Sequence, residues 1–292
     1  MLDYDMPLYR PPSEARSLIL QATLGCSHNR CAFCVAYQTK RFKARKEEEV
    51  FRDIELAKRD WPGHRRIFLA DGDAMALSAH RLIRIAERCR EAFPRIERIS
   101  LYASPMNILA KSMDDLKSIR ASGISLVYFG VESGDDEVLR RIDKGATAGQ
   151  IVEAGRLIRE AGFEISSTVI LGLAGPEGSR RHAIATAGVL NRIGGEYMAA
   201  LTLMLEPRTP SFEEVYGAPF RSLTTVEALE ECRVLVEHLE ADGVEFRSNH
   251  ASNWLALKGT LQKDKKDLLK LIDAALTDPD SPLIRPDFLR AL

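Results

Sequence analysis

No stretch of this chain approaches the run of roughly 20 apolar residues that a membrane span needs, and its first six residues include two Asp and no basic side chain. Neither a span nor a secretory leader is therefore expected, and the expected location is cytoplasmic. Also missing is a basic block: 41 Lys and Arg against 42 Asp and Glu leave a formal net charge of −1, so nucleic acid is not indicated as a partner. The chain has no low-complexity segment and no obvious linker. Cysteine is scarce and odd in number, five in all, with three inside nine residues, a pattern a disulfide framework does not explain. Cys89 and Cys232 stand alone in helical patterns and read as small buried hydrophobes. What is present suits one sizeable core: 292 residues with 45% hydrophobic and 28% charged side chains, a length that single α/β barrels reach.

Apolar runs alternate with amphipathic stretches. Strands are expected at 17–25, 66–70, 98–103, 125–131, 164–173 and 197–205, with a seventh at 244–248. Helices are expected at 46–60, 78–92, 112–121, 147–161, 178–193 and 224–240, several opened by capping residues (Ser78, Ser112, Thr147, and Thr224 or Thr225). Strands linked by crossover helices run parallel and are covered on both faces. The fold class is thus α/β, a partial (β/α)₆ TIM-like barrel. Its expected divisions are an N-terminal arm over 1–16, the barrel over 17–248 and a C-terminal extension over 249–292, with a further helix near 263–276. Such barrels place chemistry at the carboxyl ends of their strands. There the chain carries, in order, the three cysteines, Asp71-Gly72-Asp73, Ser104-Pro105-Met106-Asn107, Glu132-Ser133-Gly134, Gly172-Leu173-Ala174-Gly175 and Glu206-Pro207-Arg208-Thr209-Pro210.

Cys26, Cys31 and Cys34 are spaced C-x4-C-x2-C on a loop after the first strand. Structural zinc takes four ligands, and His28, two residues from Cys26, is poorly placed to be the fourth. A 4Fe-4S cubane on three cysteines leaves one iron open to an outside ligand. Zinc and unmetallated thiols are the alternatives.

From about Ser17 to Arg208 the sequence resembles the radical SAM superfamily, in which a cluster of this kind binds S-adenosylmethionine (SAM). The superfamily's usual spacing is C-x3-C-x2-C, so this loop has one residue more. The resemblance implies that Phe33 lies beside the SAM adenine, although a loop-anchoring role fits the same residue. It implies that Gly72 and Asp73 receive the methionyl ammonium, where a simple turn is the alternative, and it groups Ser104 with the cofactor residues. GVESGDDEVLRRIDKG (130–145) is similar to the coproporphyrinogen dehydrogenase and methylthiotransferase branches. Glu132 and Ser133 would there bind the ribose or methionyl end, and Lys144 would face the SAM carboxylate. VILGLAG is similar to the family's ILGLPG, a resemblance that implies that Ile170 or Leu171 flanks the adenine.

The activity so implied is reductive cleavage of SAM to methionine and a 5′-deoxyadenosyl radical that takes hydrogen from a small-molecule substrate, with an electron donor such as flavodoxin or ferredoxin. No signature names the substrate. Arg208, Asn249, His250 and Asn253 are the substrate candidates, because they follow the last two expected strands; a surface salt bridge is the alternative for Arg208, and an Asn/Ser-rich turn with a core Trp for the segment 248–254. His28 and Asn29 read as supporting or loop-capping residues. Two other functions stay open: a non-catalytic iron–sulfur or haem-trafficking protein on the same fold, and an RNA-modifying enzyme, which the neutral charge disfavours.

Overall fold

The computed structural model describes residues 2–208, 210–278 and 281–291. Its strands are β1 (Leu18–Gln21), β2 (Thr23–Leu24), β3 (Lys43–Ala44), β4 (Arg66–Ala70), β5 (Arg98–Ala103), β6 (Ile124–Glu132), β7 (Glu164–Leu171), β8 (Tyr197–Thr202), β9 (Glu245–Ser248) and β10 (Leu257–Thr260). The helices are α1 (Glu47–Asp60), α2 (Ala79–Ala92), α3 (Pro105–Leu109), α4 (Met113–Ala121), α5 (Asp136–Arg141), α6 (Ala148–Glu160), α7 (Gly175–Ile193), α8 (Phe212–Tyr216), α9 (Thr225–His238) and α10 (Lys265–Thr277). Eight strands form one sheet in the order β1-β4-β5-β6-β7-β8-β9-β10. A doubly wound sheet would reverse this order at a switch point. Strands laid down in chain order with helical crossovers give the α/β, six-unit βα arrangement that the sequence predicts. Among the described residues no helix is long and apolar enough to cross a membrane.

The chain divides into two compact units: Met1–Asn29 with Cys34–Gly130 and Ala154–Ile165, and Arg30–Phe33 with Val131–Glu153 and Ser166–Leu292. In the first, β1 pairs parallel with β4 (Leu18 opposite Ile67), β4 with β5 (Arg66 opposite Arg98) and β5 with β6 (Leu101 opposite Val127). The strands are buried almost throughout, as parallel strands covered on both faces must be. The expected strand over 17–25 is split: β1 ends at Gln21, and β2 turns away to pair antiparallel with β3. Ser78 and Ser112 cap α2 and α4 as their spacing predicts. The proline-rich start is tied down. A 3₁₀ turn at Pro12–Glu14 buries Glu14, whose Oε1 accepts from Arg98 Nη2 (2.7 Å), Ser100 Oγ (3.0 Å) and Tyr128 Oη (2.6 Å).

In the second unit β7 pairs parallel with β8 and β8 with β9, while β10 returns antiparallel to β9 (Leu257 opposite Ser248). Helix α7 starts at Gly175 rather than at 178, because Pro176 is well suited to a first helical turn. Thr224 and Glu227 form the capping box of α9, whose Leu235 and Val236 are fully buried.

Candidate functional site

In the first unit the cysteine loop leaves β2 at Gly25, which has φ 71°. Cys26 and Cys34 are partly exposed, as is Cys31 in the second unit, whereas Cys89 and Cys232 are buried. Burial pushes the Cys232 thiol up to about 12 and raises that of Cys89 as well, so neither is a ready thiolate. The loop is held against the turn that follows β4. Gly72 N–H donates to Gly25 O (3.1 Å), and a Cβ built on Gly72 would stand 2.6 Å from the Tyr37 ring and 2.8 Å from Cys26 Cβ. Only glycine permits that approach. Asn29 caps the loop internally, its Nδ2 donating to Tyr37 O (2.9 Å) and Lys40 O (3.2 Å).

Asp73 is fully buried beside this contact. Its carboxylate accepts from Ser27 Oγ (2.9 Å), Asn107 Nδ2 (2.6 Å) and Ser104 N (3.3 Å). Burial pushes the Asp73 carboxyl above its ordinary range, and the bonds from Ser104, Asn107 and Ser27 act against that rise. Ser104 also caps α3 through Asn107 N. The adjacent Gly72 and Asp73 thus meet Ser104, 31 residues further along the chain, around one turn. Ser27 and Asn107 were not assigned roles from the sequence; Asn107 stands in an expected strand-end stretch, but nothing local pairs it with Asp73, 34 residues away, or Ser27 with Asp73, 46 residues away.

In the second unit Glu132 ends β6 with φ 62°, a left-handed conformation that side chains rarely adopt. Its Oε1 accepts from Lys144 Nζ (2.9 Å), and both side chains are largely buried, so two separately expected site residues are brought together in a pair that the sequence did not predict. The turn is fixed from behind. Gly134 N donates to Thr186 Oγ1 of α7 (2.9 Å), a Cβ on Gly134 would fall 2.2 Å from Ala185 O, and Ser133 Oγ accepts from Asp135 N (3.0 Å). Ile170 and Leu171 are buried at the end of β7. The next residue, Gly172 (φ 90°), donates its N–H to Glu231 Oε1 (3.0 Å), and this buried carboxylate also accepts from Ser179 Oγ (2.6 Å) and contacts His182 Nδ1 (2.8 Å). Phe33 is partly buried in the cysteine loop.

The substrate candidates are less uniform. Arg208 donates to the carbonyls of Cys31 and Ala32 and to Pro210 O; its neighbour Thr209 lies outside the described residues. Asn253 is buried, accepting from Thr202 Oγ1 (2.7 Å) and donating to Ala200 O (2.9 Å), so its amide is engaged with β8. His250 is half-buried against Ser252 Oγ (2.9 Å), and burial, with Arg285 nearby, depresses its pKa. Asn249 is exposed. A cavity of about 520 Å³ with Leu203, Leu205, Trp254 and Arg290 in its wall adjoins the segment. Among the described residues no group of three or more His, Cys, Asp or Glu is gathered as a ligand set for a single metal ion.

Residues 20–186, more than half of the chain, match the family model described as the Radical SAM superfamily. The heme chaperone HemW of Bacillus subtilis (strain 168) is 24% identical over 200 residues, covering 68% of this chain and 52% of that protein. Coproporphyrinogen III oxidase (HemN) from Escherichia coli, described as a radical SAM enzyme, shares the fold with a TM-score of 0.57 and 18% identity, over 77% of this chain and 54% of that one. The radical S-adenosylmethionine methyltransferase TsrM from Kitasatospora setae, bound to tryptophan and the SAM analogue aza-SAM, gives a TM-score of 0.54 and 23% identity over 69% of this chain and 39% of that one. The chain therefore spans about half, or less, of the length of these proteins.

Proposed function

The chain belongs to the radical SAM superfamily, and from that premise we propose that it holds a 4Fe-4S cluster on Cys26, Cys31 and Cys34 and cleaves SAM reductively. The observation that carries this reading is the contact between the cysteine loop and the Asp71-Gly72-Asp73 turn, where a Cβ on Gly72 would strike Cys26. The donor set fits the group, since three thiols with no fourth cysteine nearby suit a cubane with one open iron. When bound, the cluster and SAM supply one-electron cleavage of a C–S bond, giving methionine and a 5′-deoxyadenosyl radical.

The chain's own part is to bind, orient and exclude water. Asp73 supplies a carboxylate for the methionyl ammonium, with Gly72 and Ser104 shaping its turn. Lys144 holds Glu132 in place at 2.9 Å and offers a cation for the SAM carboxylate, while Ser133 shapes the turn beside Glu132. Ile170 and Leu171 form an apolar surface for the adenine, with Phe33 as a second one. For the substrate, a small molecule, we assign direct recognition to Asn249 and His250. Arg208 and Asn253 support it through the backbone carbonyls they bind. A flavodoxin or ferredoxin would serve as electron donor.

A second reading is haem handling without radical chemistry, favoured by the likeness to a heme chaperone over 68% of this chain. The two are separated by adding SAM to the anaerobically reconstituted, reduced protein and recording its electron paramagnetic resonance spectrum. A SAM-dependent change, weakened in Asp73→Ala and Glu132→Ala, supports the enzyme. Stoichiometric haem binding with a spectrum indifferent to SAM supports the carrier.

A further inference from the structure

The first unit contains a buried ion pair that the assignments above leave unused. Lys40 and Asp71 expose 4% and 0% of their side chains, and Lys40 Nζ lies 2.9 Å from Asp71 Oδ2. The same oxygen accepts from Gly25 N (2.9 Å), and Oδ1 accepts from Gln21 Nε2 (3.4 Å). Lys40 Nζ also donates to Asp5 O (2.6 Å) and lies 3.2 Å from Asp5 Oδ1. Gly25 is the residue before Cys26, and Lys40 ends the segment that carries Cys34. One carboxylate therefore ties together both ends of the cysteine loop.

A buried pair of this kind gives little net stability against an apolar replacement, but losing one partner leaves a costly uncompensated charge. Its geometry points to another use. Closing a long loop carries an entropic cost that an internal tie can offset before any metal arrives. The two charges also sit at the neck of a loop that would hold a cluster, whose potential depends on local charge and hydrogen bonding.

We propose that Asp71 and Lys40 are positioning residues: together they clasp the neck of the cysteine loop in the metal-free chain and balance the charge beside the cluster. The first part stands on geometry alone, and the second rests on the cluster reading above. The test accordingly has two arms. In the metal-free protein, hydrogen exchange at the Gly25 amide is compared between wild type and Asp71→Ala. The clasp predicts at least tenfold faster exchange at Gly25 in the variant, with α2 unchanged. Unaltered exchange at Gly25 would overturn it, whatever the iron content.

In the reconstituted protein, with neither SAM nor substrate, iron content and midpoint potential are measured for wild type, Lys40→Met, Lys40→Arg and Asp71→Asn. Loss of the buried cation in Lys40→Met shifts the potential more negative, loss of the buried anion in Asp71→Asn shifts it more positive, and Lys40→Arg stays near wild type. Shifts of the same sign in the first two variants, or none at equal iron content, would overturn the charge-balancing role. Should Asp71→Ala loosen α2 as well, Lys40→Met decides the clasp, because it cuts the Lys40–Asp71 tie and keeps the Gly25 acceptor: faster exchange at the Gly25 amide with α2 unchanged sustains the clasp, and unaltered exchange ends it. Wild type that takes up no iron would end the cluster reading, and the charge-balancing role with it, while leaving the clasp to the exchange arm.

Discussion

Glu132 pays for its place in backbone strain. A side chain at φ 62° is about 1–2 kcal/mol worse off than in the right-handed region, a strain that usually persists only where the surroundings over-determine it. Here Lys144, Thr186 and the close approach of Gly134 to α7 supply that constraint. Replacing Glu132 by Gly and by Ala should therefore separate conformation from chemistry. Both variants lose the carboxylate and should bind SAM equally weakly, but chemical denaturation should find the Gly variant about 1 kcal/mol more stable than the Ala variant. Equal stabilities would mean that the turn carries no strain. Asp73 makes a different case. Its carboxyl is raised by burial, so the folded chain binds that proton more tightly than the unfolded chain does. The stability it contributes is present in acid and is lost as pH rises through its folded pKa. The stability of Asp73→Asn relative to wild type, measured without SAM, should thus increase as pH is raised above the ordinary carboxylate range of about 4. A difference that is flat or falls as pH rises would contradict the assignment of burial as the dominant influence.

At the scale of elements, the turn after β6 depends on α7 as much as on its own residues. An added methyl at Gly134 meets backbone, which cannot step aside as a side-chain end could. Gly134→Ala should cost about 1–3 kcal/mol or more by overpacking, and Thr186→Val about 1–3 kcal/mol through an unpaired amide. Thermal unfolding of both variants checks this, and a wild-type midpoint in Gly134→Ala would show that α7 yields. The long strands and helices were legible in the sequence because their apolar periodicity is local: β4 and β5 fall on the expected residues, and α1, α2, α4 and α9 differ by a residue or two. The capping residues were legible for the same reason. Short α3, α5 and α8 were not, since five or six residues show too little of a helical period. Strand β10 was missed because its residues, Leu257-Lys258-Gly259-Thr260, acquire a strand's pattern only beside β9. The same division runs through the candidate site. Cysteine spacing and strand-end motifs could be read directly. The partners that hold them, Asn107 for Asp73, Thr186 for Gly134, Glu231 for Gly172 and Asp71 for Gly25, come from 34 to 59 residues away and had no local signal.

At the scale of the whole molecule, the chain is nearly neutral and matches about half, or less, of the length of its relatives. What it shares with them is the fold and the family's sequence pattern. Its activity therefore has to be read from its own product. The central claim is that Cys26, Cys31 and Cys34 hold a cluster at which SAM is cleaved, and it needs no knowledge of the substrate to be tested. Wild type, Cys31→Ala and Cys89→Ala would be reconstituted anaerobically with iron and sulfide, reduced, incubated with SAM and analysed by chromatography for 5′-deoxyadenosine. The account predicts 5′-deoxyadenosine and methionine from wild type and Cys89→Ala, and neither from Cys31→Ala. Wild type that binds iron yet releases no 5′-deoxyadenosine, or Cys31→Ala that releases as much as wild type, would contradict it.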